Sequence, residues 1–201
     1  MSGLRPDLAI IADNVAAGAR VIDVGCGQGE LMAELRARKG VDARGIEIDP
    51  ANVSAAVTRG LSVVQGDADT DLPYYPDGAF DYAILSQTLQ TTRAPDKVLD
   101  ELLRIGRRAF ISFPNFAFWR VRWSLLWGGR MPVTPALPLS WYETENIHQL
   151  TIDDFRTFVK QHGVVVERAW FLNGDRQTSA AAANFRAELA LFLLRRGDEP
   201  G

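Results

Sequence analysis

The segment VIDVGCGQGEL, Val21–Leu31, constrains the fold more than any other part of the chain. An apolar, β-branched run breaks into glycines at positions 25, 27 and 29, and a helical pattern starts directly after them. Missing side chains at such a turn let the backbone bend sharply and let a ligand approach the main chain. The helix beginning near Gln28 aims free N–H groups and its positive end at that ligand. Glycines also serve purely structural strand-to-helix turns, so context decides what this loop signals. A second apolar run ends in GIEID, which puts Glu47 about 20 residues past the loop, where an acid reaches a ribose diol. A third ends in QGDAD and brings Asp67 to the same edge, where a carboxylate can accept from an adenine amino group.

The details narrow the ligand. The spacing is G-x-G-x-G, whereas a dinucleotide fingerprint reads G-x-G-x-x-G. No Walker lysine is present, and no Lys or Arg lies between Gly25 and Leu35 to offset phosphate charge. Asp23 instead adds negative charge beneath the loop, which suits a cation better than a pyrophosphate.

Around this loop, short apolar runs alternate with helical patterns. RVIDVG, ARGIEID, SVVQGD, FDYAILS and RAFISFP read as strands of a parallel sheet covered on both faces. Helices are predicted near the N-terminus, over Glu30–Lys39, from Pro50 to a stop at Gly60, over Asp96–Ile105 and from a Thr151 cap. VVVERAWFL and ELALFLLRR then close the sheet as an antiparallel hairpin. The expected fold is a doubly wound, Rossmann-like α/β domain of seven mostly parallel strands, the last antiparallel. With 201 residues, one domain spanning 1–201 is expected, interrupted by an insertion at about 115–150 beside the strand ends. Thr178–Phe185, TSAAAANF, is a low-complexity connector.

Composition excludes several classes. A net charge of −3 gives no field toward nucleic acid or anionic lipid. One cysteine, Cys26, rules out an internal disulfide framework and a cysteine-rich metal site, and it reads as a small filler inside the loop. No signal pattern or membrane-length apolar run occurs, so a cytoplasmic location is expected.

The cofactor segments resemble the motifs of class I S-adenosylmethionine-dependent methyltransferases. That resemblance implies Gly25, Gly27 and Gly29 around the methionine part of S-adenosylmethionine or S-adenosylhomocysteine, and Glu47 on the ribose hydroxyls. It also implies Asp67 and Ala68 near adenine, with Asp23, Ile48 and Ser86 completing the set. The strings SFPNFAFWRVR, GRMPVT and NIHQLT narrow the likeness to the MetW family of methionine-biosynthesis proteins, over nearly the whole chain. Members of that family are associated with homoserine O-acyltransferase, so the resemblance implies an accessory, activating partner of that enzyme.

Catalytic residues do not declare themselves. The fourth strand is followed by Ser86, Gln87, Thr88, Leu89 and Gln90, and no NPPY-type motif is present. His162 reads as a capping or surface residue, while His148, Tyr142 and Glu143 are candidates for the acceptor space. No dyad or triad stands out, and methylation of a small molecule stays open as the alternative. In the insertion, Trp119, Trp123 and Trp127 recur every four residues, with Phe116 before them and Arg120, Arg122 and Arg130 beside them. One account is a helix that lids the cleft and buries its tryptophans. The other is a protein interface, where Trp and Arg are common anchors. RNA or a membrane surface finds no support in the charge.

Overall fold

Among the described residues, eight strands form a single sheet in the order β3-β2-β1-β4-β5-β8-β6-β7. They are β1 (Arg20–Val24), β2 (Asp42–Glu47), β3 (Ser62–Gln65), β4 (Phe80–Ser86), β5 (Gly106–Pro114), β6 (Val164–Asn173), β7 (Arg176–Gln177) and β8 (Leu189–Arg196). The structure is a computed structural model and describes residues 3–197. Residues 1, 2 and 198–201 of the expected 1–201 domain lie outside the described residues. The first five strands pair in parallel, and β8 runs antiparallel between β5 and β6. The strand beyond the seven expected is β7, a two-residue strand on the edge of β6. Two residues are too few to show any alternation, so the sequence pattern carries no trace of it.

Alternation along β1 assigns the two helical layers. Val21 packs with Leu8 and Ile11 of α1 (Pro6–Asn14) and with Leu31 and Leu35 of α2 (Glu30–Lys39). Ile22 and Val24 face the other way, into a core built with Val98, Leu99 and Leu102 of α5 (Pro95–Ile105) and Phe155 of α7 (Ile152–Gln161). Polar residues fix where the helices begin. Asp49 caps α3 (Pro50–Thr58) by accepting from Ala51 N at 2.9 Å, and Asp67 caps the short α4 (Ala68–Asp71) through Asp69 N at 2.9 Å. Thr151 and Asp154 form a reciprocal capping box at the start of α7.

Because β1 lies between β2 and β4, the strand order reverses there, and a crevice opens at the carboxyl ends of β1 and β4. The insertion after β5 flanks this end. Its two ends are tied by Phe116 N donating to Leu150 O at 3.1 Å, and Gln90 O accepts from both Ile147 N and His148 N at 3.0 Å. The connector from Thr178 contains a 3₁₀ turn at Ala180–Ala182 and α8 (Ala183–Arg186), held by the buried Ala183.

The helical part of the insertion, α6 (Trp119–Gly128), corrects one expectation. A lid that buries its tryptophans is not what forms. Val121 is the buried residue of α6 and packs with Phe118 and Leu137, while Trp119, Trp123 and Trp127 are 38%, 60% and 71% exposed. Phe116 lies before the helix, in the turn leading to it.

Candidate cofactor site

The loop after β1 is hooked onto β2, as Gly25 N and Cys26 N both donate to Ile46 O, at 2.8 and 3.2 Å. Gly25 has φ +72°, and a Cβ there would sit 2.5 Å from Thr88 Oγ1. Glycine therefore lets the loop pass against the turn that follows β4. Glu47, 7% exposed, braces the same loop: one carboxylate oxygen accepts from Gly27 N at 2.7 Å and the other from Asp49 N at 2.9 Å.

Two cavities open on either side of Gly25. One, of about 330 Å³, is lined by Arg5, Asp23, Gly25, Gly27, Asn52 and Ser86 among others. The other, of about 350 Å³, is lined by Gly25, Ile48, Asp67, Ala68, Thr88 and Arg93, and by Ile147 from the insertion. Of the expected cofactor residues, Asp23, Gly27 and Ser86 thus reach the first cavity, Ile48, Asp67 and Ala68 reach the second, and Gly25 reaches both. Gly29 lines neither. With φ +77° it sits at the N-terminus of α2, where a Cβ would meet Leu61 Cδ1 at 2.3 Å, so close packing against Leu61 requires glycine there. Glu47 also lines neither cavity; each of its oxygens accepts from one backbone N–H group and keeps a second lone pair.

The first cavity has an acidic floor. Asp23 sits on the Val21 face of β1, 3% exposed, and among the described residues no hydrogen bond ends on its carboxylate. Desolvation pushes this carboxyl up to about 7; Arg5 pulls it down, while Glu47 and Asp7 push it further up. Arg5 Nη2 donates to Ser86 Oγ at 2.7 Å, and the fully buried Asp7 accepts from the Ser86 and Ser112 hydroxyls, each at 2.8 Å. This cluster ties α1 across the ends of β4 and β5. The pairing of a buried, unbonded carboxylate with a nearby guanidinium fits a zwitterionic amino-acid group, ammonium on Asp23 and carboxylate toward Arg5.

In the second cavity Asp67 is already engaged. One oxygen caps α4, and the other takes the Arg93 guanidinium, which also pairs with Asp69 at 3.5 Å. Cys26 lies half-buried beside the loop, and desolvation, Asp23 and Glu47 together push its thiol up to about 12, so it stays protonated at neutral pH.

Arg5, Asp7, Arg93 and Ile147 were not found as site residues by sequence reasoning. Arg5 and Asp7 flank the helix-starting Pro6 and Ile147 lies within the string NIHQLT, but neither pattern points to a cavity, and Thr88 was read only as a residue following the fourth strand. The acceptor candidates scatter. His148 lines a separate apolar cavity of about 290 Å³ with Leu89, Phe155 and Phe158, and its Nε2 is buried without a partner. Tyr142 is exposed against Trp141, and Glu143 accepts from Ser140 Oγ at 2.5 Å. His162 ends α7, its Nδ1 lying 2.9 Å from Phe158 O. Between the insertion and the ends of β4 and β5 lies another cavity, about 270 Å³, reached by Gln87, Gln90, Phe116 and Trp141. Among the described residues no group of three or more His, Cys, Asp or Glu side chains is placed to hold a metal ion. No described helix is long and apolar enough to cross a membrane.

Comparison with known proteins places this arrangement. The family described as Methionine biosynthesis protein MetW matches residues 5–194. A bifunctional methionine biosynthesis protein MetXA/MetW from Rhodopirellula baltica is 34% identical over 96% of this chain, which spans 33% of that relative. Magnesium-protoporphyrin O-methyltransferase from Rhodobacter capsulatus is 34% identical over 57% of this chain and 52% of its own length. The chain thus spans between a third and about half of these relatives. Among solved structures, a chain of the complex between the Haloferax volcanii Trm112 methyltransferase activator and its methyltransferase superposes with a TM-score of 0.68. It is 17% identical, over 96% of this chain and 90% of that one. The [4+2]-cyclase SpnF gives the same TM-score at 17% identity, covering 94% of this chain and 80% of that chain. At such identities the likeness shows the fold, a class I methyltransferase architecture, and nothing finer.

Proposed function

Because the chain belongs to the Methionine biosynthesis protein MetW family, we propose that it binds an S-adenosyl ligand and acts as an accessory, activating partner of homoserine O-acyltransferase. The observation that carries the partner reading is the outward tryptophan face of α6. Trp123 and Trp127 pack on each other at 5.5 Å, and Trp119, Trp123 and Phe185 line an open groove of about 410 Å³. Large aromatic rings held in water, with Arg120 and Arg122 beside them, are the usual anchors of a protein interface. The name of the Rhodopirellula baltica relative joins MetXA and MetW in one chain, consistent with a partner that works beside this one.

The crevice residues suit the ligand. Asp23 would receive its ammonium and Arg5 its carboxylate, Glu47 would accept from the ribose, and Asp67 and Ala68 would border the base. When bound, S-adenosylmethionine supplies a sulfonium-activated methyl group. Asp23 and Arg5 would hold the amino-acid end at the strand ends, and Gly25 would let the ligand's middle pass close to the main chain. A ligand downstream of methionine would then regulate the complex only if it favoured one state of that complex over another.

The reading is tested by sedimentation of the chain with homoserine O-acyltransferase from the same organism. A joint species is expected, with Trp123→Ala plus Trp127→Ala weakening it by at least about tenfold, since interface aromatics commonly contribute about 2 kcal/mol. Stability of that variant should stay within about 0.5 kcal/mol, as for exposed positions generally. A second reading, methyl transfer to a small molecule, is favoured by the cavity under the insertion. Label transfer from S-adenosylmethionine into a cell extract, with the acyltransferase showing no response to the chain, would put that reading first.

A further inference from the structure

We propose that Ile147, carried by the insertion, is a binding residue of the adenine cavity, and that an adenosyl ligand clamps the insertion onto the Rossmann-like body. This rests on the S-adenosyl reading above. The cavity is lined by the polar Asp67, Asp69 and Thr91 and by the apolar Val24, Ile46 and Ala68, and its exposed apolar surface is completed by two isoleucines of unrelated origin. Ile48 follows Glu47 at the end of β2 and is 62% exposed; Ile147 lies 99 residues further on and is 58% exposed. A single exposed isoleucine is unremarkable on any surface. Two that line one cavity leave hydrocarbon in water at a place where a flat base ring would cover it.

The backbone fixes Ile147 there. Its N–H and that of His148 converge on Gln90 O, each at 3.0 Å. Gln90 is 3% exposed, and its Nε2 donates to Gln87 O at 2.6 Å, which makes the 3₁₀ turn at Leu89–Thr91 a firm anchor. That turn also carries Thr91 into the cavity. The chemistry of the cavity favours a base over a phosphate. Its one guanidinium, on Arg93, is engaged by Asp67 and Asp69, which leaves carboxylate and apolar surface facing the space. Since α6 belongs to the same insertion, closed by the Phe116–Leu150 hydrogen bond, covering Ile147 steadies the element that bears the tryptophan face.

The test is calorimetric titration of S-adenosylhomocysteine into the full chain, alongside trypsin cleavage after the exposed Arg130 of the insertion. The expected result is that Ile147→Ala weakens binding by about five- to tenfold, the effect of losing most of one buried aliphatic side chain. Ile147→Leu should bind nearly as the unmodified chain does. Ligand should slow cleavage after Arg130 in the unmodified chain and protect less in Ile147→Ala at matched saturation. Equal affinity of Ile147→Ala and the unmodified chain, with no protection of Arg130 in either, overturns the clamp while leaving the ligand in place. Absence of any binding by the unmodified chain overturns the S-adenosyl reading itself, and the clamp with it.

Discussion

Replacing Asp23 by Asn should make the ligand-free protein more stable and less able to bind. The carboxyl is buried, and desolvation, opposed by Arg5 and reinforced by Glu47 and Asp7, moves it from 3.8 to about 7. The folded state therefore holds this proton more tightly than the unfolded chain does. No penalty exists below pH 4, where both states are protonated; it grows as pH rises toward 7 and is constant above. At about 1.4 kcal/mol per tenfold, the full penalty is ~4 kcal/mol. The neutral amide of Asp23→Asn carries none of it, but it leaves Arg5 without that charge and needs hydrogen bonds of its own. A net gain of about 1–3 kcal/mol at pH 8 is the expected outcome. Urea denaturation at pH 5 and pH 8 reads it directly: the unmodified chain should lose stability between the two, and Asp23→Asn should lose much less. Binding should move the other way. An ammonium on Asp23 favours the ionised carboxylate, so S-adenosylhomocysteine should displace a proton at pH 6, seen as a buffer-dependent heat. Asp23→Asn should lose that proton and about 1.5–3 kcal/mol of affinity. If the substitution destabilises the protein at pH 8 while the unmodified chain shows no decline from pH 5 to 8, the reasoning about Asp23 is wrong.

Three other outcomes follow from the loop. Gly29→Ala should cost about 2 kcal/mol in urea denaturation, from its left-handed backbone and the contact with Leu61, while the affinity of the folded protein for S-adenosylhomocysteine changes little. Glu47→Gln turns an amide NH₂ toward the N–H of Gly27 or Asp49, and should weaken ligand binding by about 1–3 kcal/mol, measured by calorimetry. Cys26, with its thiol pushed up to about 12, should react with a disulfide reagent at pH 8 far more slowly in the native protein than in urea. Equal rates in the two conditions would contradict the burial argument.

What the sequence made legible was chemistry carried by consecutive residues. Strand, glycine turn and helix follow one another within Val21–Leu31, Glu47 ends β2 and Asp67 lies two residues past the end of β3, so the end of the sheet where these residues gather could be read from spacing. Arg5 and Arg93 were silent because tertiary folding, not spacing, brings them to Gly25 and Asp67. Gly29 looked equivalent to its neighbours in the motif, and only the position of Leu61 reveals that packing also demands glycine there. The four-residue period of Trp119, Trp123 and Trp127 showed that they share a face; periodicity says nothing about whether that face looks inward or outward. Here the small cluster of Phe118, Val121 and Leu137 decides it, by anchoring α6 from its other side.

The central claim is that this chain activates a homoserine O-acyltransferase through the tryptophan face while holding an S-adenosyl ligand in the crevice. Its most direct test is the acyl-transfer rate of that enzyme as the chain is titrated in. A saturable rise, lost with Trp123→Ala plus Trp127→Ala, is the predicted result. An acyltransferase already fully active alone, with a rate that stays flat throughout the titration, would contradict it.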